Sequence, residues 1–152
     1  MAFLSLFQFL ILLTSSYAKS SVPFLQVDNN QTFFNPVIDQ LWADPFVYQH
    51  SDGFYYMSRA EMANTEIAVY KSQYLSNWRN AEYKTVYRAP QGLLNLWAPE
   101  LHWVDGNFYI HFALDDGDNA NHRMYVIQAL DPENPLGNYT TEKRYSVFLA
   151  YT

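Results

Sequence analysis

Three side chains stand out for the chemistry they could do. Asp44 lies in Trp42-Ala43-Asp44-Pro45, directly before the apolar run Phe46-Val47-Tyr48. Pro45 fixes φ and has no N–H, so it suits the first position of a strand and not its middle. Asp44 is therefore a carboxylate held at the mouth of a strand by a stiff backbone. Trp97 and Glu100 sit in Trp97-Ala98-Pro99-Glu100, a second step of the same kind, leading into Leu101 to Val104. Glu100 is the only other acid at a matching place, so both carboxylates could share one rim. Such a pair suits proton transfer, one accepting a proton while the other donates. The indole of Trp97 offers a flat apolar face. Plainer readings stand beside these: Asp before Pro often caps a turn ahead of a strand, and an aromatic here can equally belong to the core.

Other polar groups point to less. His102, His111 and His122 show no metal-ligand spacing and read as surface or core histidines. Asp115-Asp116-Gly117-Asp118-Asn119 resembles a calcium loop only faintly. Its twelfth position is Val126 instead of Glu, so it reads as a solvated hairpin loop. No nucleophilic Ser motif, phosphate loop or basic patch occurs. Neither a cofactor nor a metal is expected.

The elements that must position these residues are strands. The pattern predicts strands over Phe46 to Gln49, Phe54 to Arg59, Ile67 to Ser72 and Lys84 to Arg88, and no strong helical period. Asp52-Gly53 between the first two reads as a tight type I′ turn. The second half repeats the programme, with strands at Leu101 to Val104, Phe108 to Leu114, Arg123 to Ala129 and Lys143 to Leu149. The two Asp-Gly pairs stand 53 residues apart. Four short strands repeated at about 50 residues mark propeller blades, here about 41–96 and 97–152; an antiparallel meander or sandwich is the alternative. A propeller closes with about four blades or more. The expectation is thus an all-β propeller truncated to about two blades, the first part of a longer protein or a fragment that self-associates.

Composition narrows the setting. The 152 residues contain no Cys, so no disulfide framework holds the chain. Residues 1–18 read as a secretory signal, an apolar run followed by Ser16-Tyr17-Ala18 before a cut at Lys19. The run is shorter than the roughly 20 residues a bilayer span needs, and a buried N-terminal helix is the alternative. The net charge of −6 argues against nucleic acid as a partner and is compatible with a neutral polymer such as polysaccharide. Asn30 and Asn138 begin glycosylation tripeptides. Aromatic residues make up 18% of the chain; as a set they suit sugar stacking or strand core, and for any single one the core is the default.

Taken together, Trp42-Ala43-Asp44-Pro45, the run Tyr48 to Met57, Trp97-Ala98-Pro99-Glu100-Leu101-His102, the Asp105-Gly106 strand and His122-Arg123-Met124-Tyr125-Val126 resemble the N-terminal half of a family 43 glycoside hydrolase. The closest flavour is the α-L-arabinofuranosidase, arabinanase and β-xylosidase type. The resemblance implies a five-bladed β-propeller that hydrolyses arabinofuranosyl linkages of plant-type polysaccharide with inversion, xylosyl linkages being a further option, and the segment 1–18 adds an extracellular setting. It implies Asp44 as the general base, and a scaffold or subsite role for Glu100 and Trp97. It also places a pKa-tuning Asp and a general-acid Glu further along than Thr152. The alternative is an inactive fragment or a carbohydrate-binding module.

Overall fold

A computed structural model describes residues 36–38, 43–61 and 64–145. The segment 1–18, Asn30, Trp42 and the last strand beyond Tyr145 lie outside those residues. Eight described strands form two antiparallel sheets of four, each in chain order. The first sheet holds β1 (Phe46–Gln49), β2 (Tyr55–Glu61), β3 (Glu66–Ser72) and β4 (Glu82–Arg88). The second holds β5 (Leu94–Val104), β6 (Asn107–Asp115), β7 (Arg123–Gln128) and β8 (Lys143–Arg144). The only helix among the described residues is a 3-10 turn at Asn119–Asn121. None is long and apolar enough to cross a membrane.

The two Asp-Gly turns differ. Asp105 and Gly106 both take positive φ, +48° and +79°, and join Val104 directly to Asn107. That is the two-residue turn whose twist matches the strands it links. The expected twin at Asp52-Gly53 is wider: Gln49 pairs with Tyr55 across five residues, and only Gly53 is left-handed. The extra length seats His50, whose ring lies 4.8 Å from Trp103 and 4.9 Å from Phe108. Asp52 stiffens this turn by accepting the Phe54 N–H and the Tyr56 hydroxyl, at 2.9 and 2.7 Å.

Packing explains the order of the sheets. In β6, Phe108, Ile110, Phe112 and Leu114 are buried while alternate residues are only partly covered. This period of two turns one apolar face inward. It meets Tyr56, Ala60, Ile67, Val69 and Tyr87 of the first sheet in a shared core. Each such Phe, Ile or Leu contributes about 1.5–3 kcal/mol by leaving water. In β2 and β3, by contrast, burial runs nearly unbroken. The outer face of the first sheet is covered too, by a second cluster of Met57, Ala68, Tyr70 and Trp78 under Val37 and Ile38. Arg59 is buried on that side and is neutralised by Glu61 at 2.7 Å, with the Tyr70 hydroxyl also at 2.7 Å.

The edge strands β1 and β5 lie against each other. A buried hydrogen bond from Ser58 Oγ to the Pro99 carbonyl, 2.7 Å, fixes that approach. The Leu96 N–H adds a bond to the Asn64 carbonyl, 2.8 Å.

Candidate functional site

The starts of β1 and β5 share an unusual backbone step. Asp44, just before Pro45, has φ +55°, and Ala98, just before Pro99, has φ +46°. L-residues pay about 1–2 kcal/mol for the left-handed region, with Asp tolerated better than Ala. The same strained step in both sheets is part of the repeat. It also corrects the matching of the two rims: Ala98 occupies the place equivalent to Asp44, and Glu100 stands two residues further on. Asp44 is exposed.

Glu100 is half-exposed and lies 3.1 Å from His102 Nε2. The His102 ring sits 4.9 Å from Phe46, the residue after Pro45. Glu100 is thereby tied to the first turn of chain beyond Asp44. The network continues: the rings of His102 and His111 are 5.6 Å apart, and Tyr145 Oη lies 2.7 Å from His111 Nδ1. Burial pushes the His111 pKa down, the charge of His102 adds to this, and Glu100 opposes it.

Trp97 is presented by a broken stretch of β5. The register with β6 shifts on both sides of Trp97, and Asn95 and Ala98 around it are left-handed. Bulges of this kind re-aim a side chain, and Trp97 remains 42% exposed. One face of the indole is covered by His122, with ring centroids 4.0 Å apart and planes 28° from parallel. His122 Nδ1 is 2.8 Å from Asp115 Oδ2, close but not aligned as a hydrogen bond.

Asp115 departs from its expected place in a solvated loop: it is 2% exposed. Its carboxylate accepts the Gly117 N–H at 2.8 Å and the Asn95 amide at 2.9 and 3.1 Å. Burial alone would raise its pKa. The Gly117 and Asn95 hydrogen bonds and the charge of His122 outweigh that and hold it below the usual carboxylate value. The rest of the loop folds on itself, Asp116 accepting from the Asn121 amide at 3.0 and 3.1 Å. Among the described residues no three His, Cys, Asp or Glu side chains converge as metal ligands would.

Sequence reasoning singled out Asp44, Trp97 and Glu100 and did not anticipate the grouping of Asn95, Asp115 and His122 behind Trp97. The available signal was His122 opening the segment His122 to Val126. At the opposite end of the first sheet, a polar hollow of about 350 Å³ is lined by Phe54, Lys71, Gln73, Tyr74, Asn77 and Glu82.

A model of the glycosyl hydrolases family 43 matches residues 33–147. The chain belongs to family 43 of the glycosyl hydrolases. It is 33% identical over 116 residues to an extracellular exo-α-(1→5)-L-arabinofuranosidase of Streptomyces avermitilis, covering 74% of this chain and 24% of that protein. It is 32% identical over 104 residues to α-L-arabinofuranosidase 43 of Humicola insolens, covering 66% and 21%. The chain thus spans about a quarter of the length of the curated relatives it matches. Among solved structures it resembles the α-L-arabinofuranosidase of Lactobacillus brevis, with TM-score 0.63 and 33% identity over 75% of this chain and 38% of that one. Native Bacillus subtilis arabinanase, at 14% identity and TM-score 0.53, shares the fold, covering 68% of this chain and 37% of that one. The two sheets of this family 43 chain are accordingly blades of a five-bladed β-propeller.

Proposed function

We propose that this chain carries the general base and the first sugar-contacting surface of an inverting glycoside hydrolase acting on arabinofuranosyl linkages of plant cell-wall polysaccharide, with xylosyl linkages as the nearest variant. The enzyme works outside the cell, and the segment 1–18 directs its export. The observation that carries the reading is Asp44: an exposed carboxylate on a strained left-handed step before Pro45, in a family 43 fold. An exposed carboxylate keeps its lone pairs available to accept a proton from water.

Inversion needs two carboxyls about 6.5–9.5 Å apart, with a water between base and anomeric carbon. The base takes the proton of that water as its oxygen attacks. The acid gives a proton to the departing oxygen on the other side of the sugar. Asp44 supplies the first half. Trp97 offers its open indole face to a sugar ring, and Glu100, oriented by His102, accepts hydrogen bonds from sugar hydroxyls.

The test is arabinose release from an α-(1→5)-linked arabino-oligosaccharide by a chain extended to include the downstream general acid. Asp44→Asn is expected to lower the rate by about 10²–10⁴-fold while sugar affinity stays within a factor of about three. Near-normal release by Asp44→Asn removes the base assignment. A second reading is sugar binding without turnover. It is favoured by Glu100, whose pairing with His102 suits a hydrogen-bond acceptor better than a proton donor. Equal binding by both proteins, with no release from either, selects it.

A further inference from the structure

We propose that His122 is a positioning residue that braces Trp97 from behind and so fixes the sugar platform, an inference that rests on the sugar-binding reading of Trp97. Three observations converge on it. The backbone around Trp97 is irregular, with register shifts on both sides and left-handed Asn95 and Ala98, so the strand ladder does not by itself set the indole. The imidazole of His122 stacks on one indole face at 4.0 Å, nearly parallel. Trp97 as a whole remains 42% exposed, so the stack with His122 does not bury it.

The brace is itself anchored. The His122 side chain is mostly buried, and its Nδ1 lies 2.8 Å from the carboxylate of Asp115. Asp115 in turn is fixed by the Gly117 N–H and by the amide of Asn95, a residue of the same bulge that presents Trp97. The ring of contacts therefore closes: Asn95, Asp115, His122, Trp97 and back along the chain to Asn95. A side chain free to rotate loses conformational entropy when a sugar lands on it, whereas a pre-set one does not. Stacking of two rings adds attraction beyond their buried area, which favours the stacked rotamer of Trp97.

The full chain labelled with 5-fluorotryptophan separates the brace from the platform. It contains four tryptophans, and Trp97→Phe identifies the Trp97 resonance. His122→Ala is expected to release the indole, read as faster ¹⁹F relaxation at Trp97 with the other three resonances unmoved. It is also expected to weaken binding of α-(1→5)-arabinotriose by roughly three- to tenfold. His122→Phe keeps a ring in the stack and is expected to restore both readouts to within about twofold. Unchanged Trp97 relaxation in His122→Ala overturns the brace even if the sugar binds. Relaxation that changes in a chain whose arabinotriose affinity is the same with Trp97→Ala overturns the platform reading, and with it the purpose assigned to His122.

Discussion

Asp44 and Ala98 adopt the same left-handed conformation before a proline, yet only one of them is a residue type that tolerates it. Ala98 bears the larger strain. Glycine removes that cost of about 1–2 kcal/mol but gives back roughly 0.5–1 kcal/mol in backbone entropy. Ala98→Gly is therefore expected to stabilise the chain by about 0.5–1 kcal/mol, read as a higher urea midpoint; a lower midpoint would show that Ala98 is relaxed. Asp115 makes the pH dependence specific. Its carboxyl titrates lower when folded than when unfolded, so folding favours the ionised form. That contribution is complete above about pH 4 and is lost as the pH falls through the folded value. Thermal unfolding is expected to show a steeper loss below that pH in the native chain than in Asp115→Asn, and parallel curves would contradict it. At this scale the sequence was readable where causes are local. Pro45 and the residues after it place Asp44 at a strand mouth, as observed. The burial of Asp115 was not readable, because it depends on Asn95, twenty residues away across the sheet.

At the scale of elements, alternation and turn chemistry carried most of the strand pattern. β6 alternates cleanly because one face meets the core and the other does not. Asp105-Gly106 supplies the two positive φ values that its turn requires. Two features escaped. β4 begins at Glu82 and β5 at Leu94, earlier than expected, because exposed polar and kinked residues hide their pairing. The wide first turn differs from its twin because His50 is drawn into the aromatic group of Trp103 and Phe108, a contact between sheets that no local pattern encodes. The consequence for function lies in β5. An unbroken strand would alternate through Trp97 regularly, whereas the bulged one lifts it out and sets Pro99 against Ser58.

At the scale of the molecule, two blades share one core, and their inner edges run side by side. Asp44, Trp97 and Glu100 all belong to those edges or to the chain that leads into them. The repeat was legible because two halves of the sequence run the same programme. The grouping of polar residues behind Trp97 was not, since it forms only when β5, β6 and the loop before β7 come together. The most direct measurement is a crystal structure of Asp44→Asn with α-(1→5)-arabinotriose. The account predicts a sugar ring on the open face of Trp97, with its linkage within hydrogen-bond or one-water reach of residue 44. Sugar bound instead in the hollow beside Tyr74 and Asn77, or density absent from both places at saturating ligand, would contradict it.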